Sequence, residues 1–193
     1  MALGRTTYLS AVNQILRSIG EREVASYVDS TRGDVSSSVS ELEGTSKAVL
    51  GEGWHFNHET RDYSPEPDGR IPVPLTALSA GLVGPISRDE VIMRGGYFYN
   101  KTDSTYIFTA DIKVDVILDL EWDELPEAAR QYIVARAARR VAEQRVGDQL
   151  LIQTLQQEEG RTRVVLENEE TESGDYNHNM APSLRRLNSE WHR

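Results

Sequence analysis

Apolar positions along this chain change period twice, and the changes divide it into a helical beginning, a strand-rich middle and a helical second half. The longest consistent pattern runs from Trp122 to Leu151. Leu125, Ala129, Ile133, Ala137 and Val141 form one apolar row at helical spacing, and Ala128, Ala135, Ala138, Ala142 and Val146 form another. Two apolar rows predict a helix covered on both sides, with alanines that let another backbone come close. Asp123, Glu124 and Glu127 stand at its start and Pro126 in its first turn, where carboxylates meet the positive end of the helix dipole and a missing N–H costs nothing. Arg139, Arg140 and Arg145 crowd the far end. Gly147 supplies the left-handed residue that stops a helix and Asp148 a cap for the next, so a helical hairpin is expected. Arg136, Arg139, Arg140 and Glu143 share the polar stripe between the rows, with Arg139 and Glu143 one turn apart. That stripe fits a solvated face or a contact between subunits.

Upstream, Leu9, Val12, Ile15, Leu16 and Ile19 predict a short amphipathic helix with Ser10 as its cap and Gly20 after its end. Val35, Val39, Leu42, Ser46 and Val49 mark a second, stopped by Gly51 and Gly53. Trp54 and Phe56 alternate with His55 and Asn57, which reads as the start of a strand with its aromatics inward. Five prolines between Arg61 and Asp89 exclude a long helix there, and Ile71 to Leu78 is the expected extended piece. Val91 to Arg94 and Tyr97 to Asn100 flank Gly95 and Gly96, a hairpin with a turn of positive φ angles. Thr105 to Thr109 is a further candidate strand. Ile112, Val114, Val116, Leu118 and Leu120 alternate with polar or outward positions, so one face of that strand is expected to be buried.

The second helix of the hairpin begins near Gln149 and carries Leu151, Ile152 and Leu155. Gly160 is a point where it bends or ends, although Val164 to Leu166 could extend it. From Glu158 to Asp175 seven acids face two arginines, a local balance of −5, which reads as a solvated arm and not as core. The end turns apolar and basic with Leu184, Arg185, Arg186, Leu187 and Trp191, the composition of a docking segment or of a frayed end.

These elements make an α+β chain: a helical bundle with an inserted small antiparallel β-sheet and hairpin region and an extended C-terminal arm. The expected divisions are 1–60 for the N-terminal helices, 61–121 for the β-rich middle, 122–170 for the helical hairpin and 171–193 for a flexible arm, within one structural domain.

Composition narrows the chemistry. The chain has no cysteine, which removes disulfides, thiolate nucleophiles and cysteine metal sites. A net charge of −10 argues against a protein that binds nucleic acid by neutralising phosphates, yet it suits a wall along which DNA slides without sticking. No apolar run reaches the roughly 20 residues a membrane span needs and no secretory leader opens the chain, so a protein kept in the cytosol is expected. His55, His58 and Glu59 lack metal-site spacing, since strand residues three apart face opposite ways. Neither a G-x-S-x-G elbow nor a phosphate loop occurs. A glycoside hydrolase needs only two carboxylates, and Asp111, Asp115 and Asp119 at strand ends are its first candidates, with Tyr97, Phe98 and Tyr99 the nearest thing to a stacking surface. Surface charge and hairpin packing account for both groups without catalysis.

The runs LSAVNQILRSIGE, GWHFNHE, RGGYFYN, WDELPEAARQYIVARAARRVAEQR and QTLQQEE, in this order, resemble tail tubular protein A of short-tailed, podovirus-type bacteriophages. The likeness covers most of Leu9 to Glu159 and is weak from Arg61 to Asp89 and beyond Gly160. It implies a structural virion protein, a tail adaptor ring of about twelve subunits that joins the portal protein to the tubular nozzle protein. The ring would form part of the channel through which DNA is ejected without specific binding. It implies no cofactor, no metal and no membrane, and a virion tail assembled in the host cytoplasm. On that likeness Arg136, Arg139, Arg140 and Glu143 become an intersubunit seam, and the segment with Leu184, Arg185, Arg186, Leu187 and Trp191 becomes a portal-docking arm. The alternative is a tail-associated hydrolase acting on host surface polysaccharide, alone or in addition.

Overall fold

The computed structural model describes residues 4–28, 30–82 and 91–180, with 174–180 as helix backbone. The chain is α+β and divides into two compact units, Met1–Ser46 with Trp122–Arg193, and Lys47–Glu121.

The first unit is helical. Helix α1 (Tyr8–Ser18) buries Ala11, Val12, Ile15 and Leu16, the amphipathic face its spacing predicts. Its cap is Thr7 and not Ser10: the Thr7 hydroxyl accepts from the Ser10 N–H at 3.1 Å, placing Ser10 in the first turn. Gly20 follows with φ +80°, where a side chain would be strained. Helix α2 (Gly33–Leu50) begins in this unit, with Val35 and Leu42 fully buried. A 3-10 turn at Trp122–Glu124 leads through Pro126, the cap, into α3 (Glu127–Arg145). Both apolar rows of α3 are buried except Val146, which lies beyond its last turn and is 45% exposed. Gly147 at φ +70° makes the corner, and the Asp148 carboxylate accepts from the Leu151 N–H at 2.9 Å to start α4. Helices α1 and α4 both pack on α3.

Helix α4 (Gln149–Met180) continues through Gly160, the extension that Val164 to Leu166 allow. The acidic stretch from Glu158 is helical, and most of its described side chains are exposed, as a solvated segment requires, while one seam is covered. Among its covered positions, Ile152, Leu155, Glu159, Thr162 and Leu166 follow three-four spacing, the seam of a helix packed along a partner. Leu166 is fully buried. At 1.5 Å per residue α4 is about 48 Å long against about 28 Å for α3, so its last turns run past the start of α3.

The second unit is a three-stranded antiparallel sheet with a hairpin beside it. Strand β5 (Ile112–Leu118) is central, between β1 (His58–Tyr63) and β2 (Ala77–Leu82). Its expected alternation holds: Val114, Val116 and Leu118 enter a core with Ile71, Val91, Phe98 and Phe108. Strands β3 (Val91–Arg94) and β4 (Tyr97–Asn100) form the hairpin its glycines predict, with Gly95 and Gly96 at φ +60° and +81°. Three readings need correction here. The extended piece expected over Ile71 to Leu78 is interrupted: Ile71 to Val73 pairs with β4 through the Pro72–Tyr97 bridge, with the Val73 N–H donating to the Gly96 carbonyl at 2.9 Å. A turn follows Pro74, whose nitrogen cannot donate to a ladder, and β2 begins at Ala77. Thr105 to Thr109 contributes one bridge, Thr105 to Asn100, and no strand. Trp54 to Asn57 is a turn before β1: the buried Asn57 amide draws the chain back on itself, accepting from the Trp54 N–H at 2.8 Å. Gly53 precedes that turn at φ +79°, where an added Cβ would lie 2.7 Å from Ile117 Cδ1.

Candidate assembly surfaces

The polar chemistry of the helical unit concentrates where elements meet. At the start of α3, Glu127 accepts from the Thr6 N–H at 3.0 Å, from the Thr6 hydroxyl and from Gln131 Nε2 at 2.7 Å. Arg130, only 2% exposed, donates to the Thr6 carbonyl at 3.1 Å and the Asp123 carbonyl at 2.9 Å. Trp122 Nε1 donates to the same Thr6 carbonyl at 2.9 Å. This clamp ties the segment before α1 to the start of α3. Burial pushes the Glu127 carboxyl up, but the hydrogen bonds from Thr6 and Gln131, with the Arg130 charge, outweigh it and hold the group below the usual carboxylate range.

The arginine stripe has partners within the chain. Arg139 pairs with Glu143 one turn on, as its spacing predicts, and with Glu159 of α4. Arg136 lies 3.9 Å from Glu159 and donates to the Tyr132 hydroxyl at 3.3 Å, while Arg163 of α4 donates to that hydroxyl at 3.0 Å. Arg140 pairs with Glu41 of α2, which also accepts from Gln144 Nε2 at 3.0 Å. Arg136, Arg139, Arg140 and Glu143 are therefore brought together with carboxylates of α2 and α4, and those pairs account for the stripe without a second subunit. Tyr132, Arg130 and Glu159 carry much of this chemistry and stand out in no sequence pattern. The i,i+4 spacing of Arg163 and Glu167, which pair at 2.8 Å, offered a local signal like that of Arg139 and Glu143.

Beside the clamp, α3 and α4 leave an open groove of about 300 Å³. Ala128 and Val165 supply apolar wall, and Glu127 and Glu169 supply carboxylates. In the other unit the outward face of the β3–β4 hairpin is aromatic and cationic. Arg94 lies over the Tyr99 ring at 4.2 Å, Tyr99 meets Tyr106 at 4.8 Å, and Arg70 lies 5.5 Å over Tyr97. A turn fixes Tyr106 there, with Asn100 Oδ1 accepting from the Thr102 and Asp103 N–H groups at 2.9 and 3.1 Å.

The carboxylates singled out for hydrolysis do not converge. Asp111, Asp115 and Asp119 follow one another along β5 and its ends, about 13 Å apart at strand rise, beyond the 5–9.5 Å that glycosidase pairs use. Asp115 accepts from the Thr60 hydroxyl across the sheet, with His58 Nε2 at 3.8 Å. Among the described residues no helix is long and apolar enough to cross a membrane. The docking segment with Leu184, Arg185, Arg186, Leu187 and Trp191 lies outside the described residues.

Two packed units, with clamps and staples between the helices of the first, define an α+β protein. The chain belongs to the tail tubular protein family, whose model matches residues 9–176, and it is a structural component of a bacteriophage tail. It is similar to tail tubular protein A of Klebsiella phage KP34, with 29% identity over 125 residues. That match spans 65% of this chain and 66% of the relative, just under two thirds of its length. The family match runs through both units and continues along α4, past Glu159 where the quoted runs end.

Proposed function

We propose that the chain is the tail adaptor: about twelve copies close into a ring that joins the portal protein to the tubular nozzle protein and continues the DNA ejection channel. The observation that carries this reading is the family match over 9–176, which takes in the helical unit and the sheet unit together. The net charge of −10 supports it, because an acidic wall repels phosphate and lets DNA pass without binding. Assembly takes place in the host cytoplasm, and residues 182–193 dock the ring to the portal. The Arg136, Arg139, Arg140 and Glu143 stripe serves as an intersubunit seam only by extending or exchanging its present pairs, and Arg140, with its side chain 44% exposed, is the member best placed to do so.

Light-scattering mass on a sizing column tests the reading, for the protein alone and mixed with the cognate portal ring. Co-elution as a stoichiometric ring-on-ring complex is the expected result, even if the free protein is a monomer. Separate peaks from folded samples would overturn it. Deleting Pro182 to Arg193 should abolish co-elution and leave the melting temperature nearly unchanged.

A further inference from the structure

Two surfaces of this chain are unmatched within it and complement one another. The hairpin face presents Arg94, with which no carboxylate of the described residues pairs, its guanidinium carbon 4.2 Å from the centre of the Tyr99 ring, which Tyr106 meets in turn at 4.8 Å. An arginine stacked on an aromatic ring keeps its N–H edge free for a carboxylate, and Tyr with Arg is the composition that dominates protein contacts. The α3–α4 groove is the converse. Its wall includes Val165, 53% exposed, and one helical turn further on the exposed carboxylate Glu169 lines the same groove. No arginine of the described residues pairs with Glu169, whereas most arginines of α3 already hold carboxylates of their own chain. Glu127 adds a second negative charge at the same groove.

We propose that the α3–α4 groove of one copy receives the β3–β4 hairpin face of a second copy, with Arg94 on Glu169 and the tyrosines against Ala128 and Val165. The two patches are different surfaces, so the contact is heterologous, and a ring closes when each copy gives its hairpin to one neighbour and its groove to the other. This rests on the ring reading above and names the surface that builds it.

The chain has no native cysteine, so introduced ones report this contact alone. The Arg94→Cys and Glu169→Cys variants, mixed and mildly oxidised under conditions where light scattering shows assembly, should form disulfide-linked dimers that neither forms alone. Arg94→Glu and Glu169→Arg should each weaken assembly about tenfold or more, and the double reversal should recover it. Circular dichroism of each variant, with Arg94→Gln and Glu169→Gln as milder changes, separates lost contact from lost fold. If the wild type assembles but no mixed disulfide forms, or the double reversal fails to recover assembly, this contact is overturned and the ring reading stands. If the wild type assembles neither alone nor on a portal ring, the ring reading falls and this contact with it.

Discussion

The side-chain amide of Asn57 donates to the Leu118 carbonyl at 2.9 Å across 61 positions of sequence, and from the same nitrogen to the Leu50 carbonyl at 2.9 Å. With its oxygen accepting from Trp54, one fully buried residue joins the end of α2, the turn before β1 and the end of β5. Replacing it by Ala strands a buried N–H and two carbonyls, at about 1–3 kcal/mol for each group that water cannot reach. Asn57→Ala should therefore lower stability by about 3 kcal/mol, read as a shifted denaturation midpoint. Asn57→Asp should cost more at neutral pH, since a carboxylate would face two carbonyls. Equal midpoints for Asp and wild type would show that the amide donors are not what the site requires.

Glu127 links the clamp to pH. Its folded pKa lies below the ordinary value of 4.5, so its contribution is complete above that pH and is lost as pH falls through the folded value. The Asp34 carboxyl, lowered chiefly by its hydrogen bond from Arg32, acts in the same direction. A melting series from about pH 7 to about pH 3 should show the wild type losing stability more steeply below pH 4.5 than Glu127→Gln does. Parallel curves would remove the charged clamp as a source of acid sensitivity.

Arg130 makes a sharper demand, because its guanidinium reaches two carbonyls, on Thr6 and Asp123, that a single ammonium cannot bridge in the same plane. Arg130→Lys should cost about 2–4 kcal/mol and Arg130→Met a similar amount, with the melting of α1 uncoupled from that of α3. Hydrogen exchange at residues of α1 tests this. Unchanged protection of α1 in both variants would mean that apolar packing alone holds it.

How much of this was legible depends on how local the signal is. The β3–β4 hairpin, β5 and both rows of α3 follow from apolar period and from glycines at turns, and each lies within about twenty residues of sequence. Helix α4 past Gly160 was legible only as an alternative, through Val164 to Leu166, because Glu159 and Thr162 occupy covered positions of its seam and break the apolar pattern there. Glu159 can sit there only because Arg139 and Arg136 of α3 meet it, which no single-segment periodicity reveals. The same holds for Arg130, which looks like any helix-surface arginine until Thr6 and Asp123 are folded against it. Trp54 to Asn57 misled for the opposite reason: its alternation suits a strand, while the capacity of the Asn57 amide to close a turn decides the conformation. The candidate surfaces were half visible, since Tyr97 and Tyr99 stood out as aromatics and Glu169 was one acid among many.

Arg139 sits between Glu143 of its own helix and Glu159 of α4, both within ion-pair distance, with its side chain 22% exposed and that of Glu159 16%. Pairs this sheltered are screened less by salt than surface pairs, and charged hydrogen bonds of this kind are worth about 1.5–3 kcal/mol. Arg139→Glu would set three carboxylates together at the α3–α4 seam. The expectation is a loss of about 2–4 kcal/mol in the isolated protein, eased by lower pH, before any effect on assembly is read. Exchanging the pair, Arg139→Glu with Glu159→Arg, should restore part of that loss, and the coupling energy of the double-mutant cycle measures the staple itself. A subunit seam at Arg139 makes a different forecast: the single variant would melt like the wild type and fail only to form rings. Melting curves of the four proteins in the cycle, followed by light scattering of the same samples, separate the two roles of this arginine.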